Sequence, residues 1–247
     1  MKKKDFEVVF SNSDFIAVDK ASGIAVIPER WEDGSDLKTV LEHFLKEELY
    51  AVHRIDKETS GLVLFAKNPE MHRYLNQLFE NREIEKEYLA IVDGVFGYKE
   101  FTADYPIFEP KSGRCRIDQE TGKPSETVFL LEESFRDFAL IKAFPKTGRK
   151  HQIRVHLSFM GTPILGDPVY SRKKALFLSE MKKNYHLKKG KEERPLIQRT
   201  ALHAHVLSFV LPGGEPIKLE APLPKDMKAT INQLRKYNKS PKEFLFG

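Results

Sequence analysis

From Ser60 to Ala66 the chain reads Ser-Gly-Leu-Val-Leu-Phe-Ala, entered through the polar turn Asp56-Lys57-Glu58-Thr59. Val63, Leu64 and Phe65 carry the β-branched and aromatic bias of a buried strand. Such a strand requires a core around it and immobilises the loop that feeds it. That loop is His53-Arg54-Ile55-Asp56, which brings an imidazole, a guanidinium and a carboxylate within four positions. A carboxylate held still is what catalysis demands, more than binding does. Taken alone, the same residues also fit a solvated turn with Arg54 and Asp56 in a surface ion pair.

The rest of the chain bounds what surrounds this stretch. Its 247 residues, 40% hydrophobic and 31% charged, suit a soluble globular protein with a sizeable core. We expect a single domain over 1–247. No apolar run approaches a membrane span, and Met1-Lys2-Lys3-Lys4-Asp5 has no apolar segment behind it, so no signal peptide is expected. One cysteine, Cys115, excludes an internal disulfide, and the expected location is the cytoplasm. The net charge of +5 is compatible with a nucleic-acid partner. Basic residues gather at Arg172-Lys173-Lys174, Lys182-Lys183 and Lys188-Lys189, and again at Lys111, Arg114, Arg116 and Lys123. Both groups fall in polar, loop-like regions where a phosphate backbone could be gripped, or where a surface is simply solvated.

Short strands are expected at Phe6–Phe10, Phe15–Asp19 and Ile24–Ile27, then a helix over 36–48 capped by Ser35 or Asp36. Asn68-Pro69 starts a second helix. Residues 86–92 alternate as a strand that puts Tyr88, Ala90 and Val92 on one face. Residues 97–124 read as a loop-rich excursion, and Thr127–Leu131 with Phe138–Phe144 as paired strands. In residues 147–161 we choose helical over strand periodicity, with Thr147 at the start, Gly161 at the end, and His151, Arg154 and Ser158 on one side. The basic region 172–199 has room for one amphipathic helix. A hairpin, Leu202–Leu211 with Ile217–Glu220, and a last helix from Pro224 complete the chain.

Chemical motifs narrow the function. There is no Cys-x-x-Cys, no His-Glu-x-x-His, no glycine-rich nucleotide loop and no Gly-x-Ser-x-Gly, so no metal or nucleotide cofactor is indicated. His203-Ala204-His205 suits a structural pair. What remains is one anchored carboxylate, an arginine on a helix and basic surface. Cleaving an O-glycoside normally takes two carboxylates. An N-glycosidic bond to uracil asks less, because the departing uracil delocalises its charge, and a single nucleophilic carboxylate suffices. An arginine beside it would keep it ionised and aimed.

These residues resemble the RluA-type family of RNA pseudouridine synthases. The family's catalytic loop is matched by His53-Arg54-Ile55-Asp56 and Thr59-Ser60-Gly61, with Ile55 for the usual leucine. Its Lys-x-Tyr-x-Ala strand is matched by Lys86, Tyr88 and Ala90. Its Gly-Arg-x-His-Gln-x-Arg-x-His segment is matched by Gly148, Arg149, His151, Gln152, Arg154 and His156, followed by Gly166-Asp167 and Tyr170. Leu202-His203-Ala204 also matches. Asp19-Lys20-Ala21-Ser22-Gly23 resembles the family's Lys-Pro-x-Gly turn, with Ala21 in place of proline, and Ser171 stands where glycine often follows the tyrosine. The matches span about 16–211 in the family's order.

The resemblance implies an α+β fold: a mixed, mainly antiparallel sheet flanked by helices and loops, with a central cleft. It implies isomerisation of a uridine in ribosomal or transfer RNA to pseudouridine, without cofactor or metal. Asp56 would be the nucleophile, Arg154 would pair with it, and Tyr88 would lie against the uracil and assist removal of the C5 proton. The target base would turn out of its stack, with Arg54 filling the vacated space. His53, Arg54, Lys86, Arg149 and His151 would contact RNA. Only about fifteen residues precede the first match, so the small N-terminal RNA-binding domain of some members is expected to be absent. The substrate is then a compact stem-loop and the protein a monomer with no obligate protein partner. A catalytically silent RNA-binding or RNA-folding protein is the competing reading from another class. A glycosidase acting on free nucleosides is a third.

Overall fold

A computed structural model describes residues 5–28, 36–111, 113–187 and 190–240. The elements are β1 (Phe6–Ser11), β2 (Phe15–Lys20), α1 (Leu37–Leu45), β3 (Tyr50–Ala51), β4 (Ser60–Ala66), α2 (Pro69–Glu80), β5 (Glu85–Asp93), β6 (Glu100–Asp104), β7 (Ile107–Phe108) and β8 (Arg116–Ile117). They continue as β9 (Glu126–Ser134), β10 (Phe138–Pro145), α3 (Gln152–Phe159), β11 (Leu202–Val210), β12 (Pro216–Glu220) and α4 (Lys225–Tyr237). The chain divides into two compact units, Met1–Tyr88 with His203–Pro222, and Leu89–Leu202 with Leu223–Gly247. No helix among the described residues is long and apolar enough to cross a membrane.

The first unit is organised by β4. All seven of its residues are buried, and strand alternation sends them to two different cores. Leu62, Leu64 and Ala66 pack with Met71, Leu75 and Leu78 of α2 and with Leu207 and Phe209 of β11. Val63 and Phe65 pack with Leu37 and Leu41 of α1 and with Ile16 and Val18 of β2. A strand covered on both faces reads as an unbroken apolar run, which is the pattern seen in the sequence. The strand order is β1-β2-β4-β11, with β3 on β4 and β12 on β11. Pairing is antiparallel except between β4 and β11, where Ser60 faces His203 and Gly61 faces Ala204 in parallel register. The mixed, mainly antiparallel α+β character follows.

Helices α1 and α2 start where local signals put them. Asp36 caps α1 by accepting from the Thr39 amide, and Asn68 caps α2 by accepting from Met71, with Pro69 in the first position. Ser35, the other candidate cap, lies outside the described residues. Ile24–Ile27 is not a strand. The carbonyls of Ala25 and Val26 instead accept from the amides of Leu37 and Lys38, two of the orphan donors at the start of α1.

In the second unit β10 pairs antiparallel with β9, and β9 with β6, while β7 and β8 make a separate two-stranded ribbon. Three short strands thus lie inside the excursion at 97–124. Helix α4 returns to this unit, burying Met227, Ile231 and Leu234. The expected amphipathic helix in 172–199 is absent from the described residues, which hold only a 3-10 turn at Leu178–Glu180. Leu176 instead bonds back to the backbone of Leu196 and Ile197 in an extended pairing. Lys188-Lys189 lie outside the described residues.

Candidate active site

The loop that carries Asp56 is fixed at both ends. Ile55 is buried in the α1-side core, and the Thr59 amide donates to the Asp56 carbonyl at 3.0 Å, closing the turn. On the far side of the turn the Lys57 carbonyl accepts from the Gly23 amide (2.8 Å) and from Lys20 Nζ (3.1 Å), while Ser22 Oγ donates to the Glu58 carbonyl (2.7 Å). Lys20 is wholly buried, and its ammonium also donates to the carbonyls of Ala21 and Ile24 at 2.9 and 2.8 Å. A buried cation needs such partners, and these pin the 20–24 turn to the residue after Asp56. At the strand entrance Ser60 Oγ meets His203 Nδ1 at 3.0 Å. The other ring nitrogen of His203 faces the Ala221 carbonyl, which can only accept, so the Ser60 hydroxyl donates. Gly61 has φ +113°, and a Cβ there would lie 2.2 Å from the Ala204 carbonyl oxygen. The close approach of β4 to β11 at this point therefore requires glycine.

Two side chains report the electrostatics of this loop. Burial pushes the Tyr88 phenol up, and the charge of Asp56 pushes it further the same way, so it stays a neutral phenol across the physiological range. That influence requires Asp56 and Tyr88 to be neighbours. Tyr88 itself packs in the same core as Ile55 and Ala204. His53 is pushed down to about 3, by burial first and then by the Lys86 ammonium. Its Nε2 accepts from the Leu64 amide at 2.9 Å, and its ring stacks on Phe79 with centroids 4.6 Å apart. A neutral imidazole that accepts from the strand backbone is not a cation for phosphate. The ring thereby braces the loop against β4. Arg54 is exposed and Lys86 half-buried.

In the second unit, helix α3 begins at Gln152, five residues after Thr147. Thr147 Oγ1 does not cap it, because the hydroxyl donates to Gln152 Oε1 (2.6 Å) and accepts from the Glu126 amide (3.0 Å). His151, with φ 58°, precedes the helix. Gly161 ends it as expected: with φ +82° its amide donates to Ser158, and the Thr162 amide to Leu157, a Schellman pair.

A buried polar chain seats the helix on β9. Gln152 Nε2 donates to the Glu126 carbonyl and to Thr127 Oγ1 at 2.8 and 2.9 Å. Thr127 Oγ1 then stands 3.1 Å from His156 Nδ1, while His156 Nε2 faces Ser125 Oγ (3.0 Å) and the Tyr105 carbonyl (3.1 Å). Carbonyls only accept, so Nε2 carries the hydrogen and Nδ1 accepts from Thr127. Burial holds His156 below its ordinary value, against the opposing pull of the Tyr105 carbonyl and the Asp104 charge.

Arg154 is buried with side-chain exposure of 3%, and it is bound side-on by Asp167, Nε to Oδ2 at 2.7 Å and Nη2 to Oδ1 at 3.0 Å. Asp167 Oδ1 also accepts from the amides of Val169 and Tyr170 at 2.8 and 3.0 Å. Burial would raise this carboxyl, but the Arg154 hydrogen bonds and charge, with the two amides, outweigh it and hold it below the ordinary range. Arg149 Nε donates to the Pro124 carbonyl (3.1 Å), and His151 Nδ1 meets Tyr170 Oη (3.0 Å), so both are tied to their own surroundings.

Asp56 and Tyr88 thus fall together in the first unit, and Arg154, Arg149 and His151 in the second. Two residues of consequence, Lys20 and Asp167, had sequence signals but no role, since each stood inside a motif whose partner appears only on folding. Among the described residues no three His, Cys, Asp or Glu side chains gather to hold a metal ion.

The sequence pattern of a family described as RNA pseudouridylate synthase matches residues 14–159. An uncharacterized RNA pseudouridine synthase of Bacillus subtilis (strain 168) is 33% identical over 244 residues, covering 94% of this chain and 74% of that protein. Ribosomal large subunit pseudouridine synthase C of Salmonella typhi is 34% identical over 239 residues, covering 92% of this chain and 70% of its own. Among solved structures, human RNA pseudouridylate synthase domain containing 4 superimposes with a TM-score of 0.70 at 25% identity, covering 92% of both chains.

Proposed function

This chain belongs to the family of RNA pseudouridylate synthases, and on that footing we propose that it isomerises a specific uridine of structured RNA with Asp56 acting on the glycosidic bond. Relatives named for the large ribosomal subunit favour ribosomal over transfer RNA as the substrate. The observation that supports the assignment of Asp56 is its place in a turn pinned by the Thr59 amide and by Lys20, with half-buried Tyr88 packed against the core that holds the adjoining Ile55. Catalysis by one carboxylate needs that carboxylate aimed at the sugar–base junction, and a phenol beside it gives uracil a flat surface. In this mechanism Asp56 engages the target nucleotide, the uracil is released and turned, and C5 bonds to the ribose carbon that N1 has left. The C5 proton is then removed, with Tyr88 assisting. The step balances because N1, freed from the ribose, takes up a proton as C5 loses one, and Tyr88, a neutral phenol, relays rather than keeps the proton. Arg154 supplies positive charge for the carboxylate, on a helix that Asp167 and the Gln152–Thr127–His156 chain keep in place. Arg54 fills the space left by the turned base, and His53, Lys86, Arg149 and His151 contact RNA. The enzyme acts as a single catalytic domain, a monomer in the cytoplasm, without cofactor.

Asp56→Ala should abolish pseudouridine formation in RNA from cells lacking the protein, while RNA affinity stays within about tenfold, roughly 1.4 kcal/mol. Nucleotide-resolution pseudouridine mapping measures the first and a filter-binding titration the second. Full activity in the variant would remove Asp56 from the chemistry. Release of free uracil by the wild type would point instead to a glycosidase.

A further inference from the structure

We propose that an exposed face of the second unit, built from Tyr105, Phe108, Arg114, Arg116 and Phe159, is a stacking platform for unpaired nucleotides of the RNA substrate. It rests on the RNA-modifying reading only in taking RNA as its ligand.

Phe159, the last residue of α3, is 57% exposed, an unusual place for a phenyl ring. It meets Tyr105 in a T-shaped contact, with centroids 4.9 Å apart and planes at 62°, and more than half of its surface stays in solvent. Beside it Arg114 reaches Ser158 Oγ at 3.4 Å and lies over the Tyr170 ring at 4.7 Å from its centroid. Arg116, on β8, lies over the Phe108 ring of β7 at 4.3 Å and reaches Asp118 at 3.1 Å. A guanidinium held over one ring can still meet a further flat group, and bases are the flat groups that come attached to phosphates. Two of the neighbouring acids are engaged, while Asp104 and Glu120 are exposed. Asp118 accepts from the amides of Glu120 and Thr121, and Glu109 from the Lys150 amide, with Lys123 3.8 Å away. The rings with the exposed Arg114 and Arg116 make the planar, cationic part of this surface.

A protein partner fits less well, since one open phenyl ring among arginines offers far less than the roughly 800 Å² per side of a stable interface. Duplex RNA also fits less well, because its bases are already stacked. The platform is joined to the helix that carries Arg154: the Arg154 guanidinium lies 5.2 Å from the centroid of the same Tyr170 ring that Arg114 covers.

The test titrates the full-length protein with a short single-stranded oligouridylate and with an RNA duplex of equal length. Phe159→Ala and Phe159→Leu should each weaken the single strand about tenfold and leave the duplex within twofold. Leucine keeps apolar contact with Tyr105 but has no ring, which separates stacking from packing. Arg114→Gln and Arg116→Gln should each lower the slope of log Kd against log salt by about 0.7, while the Phe159 variants leave it unchanged. Phe159→Trp should be quenched by the oligouridylate and not by the duplex. Unchanged affinity in the Phe159 variants, or equal losses for both RNAs, would overturn the platform. Neither result touches the Asp56→Ala test, which stands or falls on product formation alone.

Discussion

The Arg154–Asp167 pair has side-chain exposures of 3% and 0%, so each partner depends on the other for its charge to be tolerated. Removing one partner strands a buried ion, which costs about 3–5 kcal/mol, whereas replacing both by apolar residues of similar volume costs far less. Asp167→Ala should therefore lower the unfolding free energy by that amount in urea titrations, with Arg154→Met/Asp167→Leu recovering most of it. The pair also predicts an acid limb. The folded carboxyl is held below its unfolded value, so its contribution is complete above about pH 4 and is lost as pH falls through the lower folded value. Asp167→Asn should flatten that limb in pH-dependent melts. At this scale the chemistry-bearing types were legible. Asp56, Tyr88 and Arg154 stand in motifs whose residues can be read one by one. Asp167 as the Arg154 partner was not legible, because thirteen residues and two turns separate them and only the fold sets their carboxylate and guanidinium side by side. The bond that His53 makes was not legible for a similar reason: nothing in His-Arg-Ile-Asp shows that the ring will face the Leu64 amide.

At the scale of elements, β4 and its loop act as one piece. His53 must stay neutral to accept from Leu64, and its folded value of about 3 lies below the unfolded 6.5. The unfolded chain therefore binds the extra proton first, and stability should be full above about pH 6.5 and fall as pH drops towards 3. His53→Gln, which keeps an acceptor but does not titrate, should reduce that dependence in pH-jump or equilibrium unfolding. Gly61→Ala should cost about 2–5 kcal/mol, combining a strained φ with a clash against β11. Thermal melts would show it, and a loss under 1 kcal/mol would mean that β11 can move away. Elements with their own local signals were readable: the apolar run of β4, the Asn68-Pro69 start of α2, and the Gly161 stop of α3. The start of α3 was not, because Thr147 looks like a cap until Gln152 is seen to occupy its hydroxyl. Residues 172–199 defeated helical periodicity because Leu176 and Ile197 pair across the segment, a long-range choice that periodicity cannot reveal.

At the scale of the whole molecule, each unit is assembled from two separate stretches of chain. Helix α4 closes the second unit through buried Met227, Ile231 and Leu234, and through ion pairs from Arg235 to Glu133 and from Asp226 to Arg199. Leu234→Ala should cost about 2–5 kcal/mol. In hydrogen exchange its losses of protection should be larger in β9 and β10 than in β4, and the reverse order would contradict the division. The α+β class could be read from the sequence, whereas the interleaving could not, since no linker or change in composition marks the crossings at Tyr88 and Leu202. A further consequence follows from the ammonium of Lys20, sealed among three carbonyls beneath the turn that bears Asp56. An amine-reactive reagent reaches it only when that turn lifts, so among the lysines of this chain its acylation rate becomes a clock for the opening of the catalytic loop, readable by mass spectrometry without any RNA present.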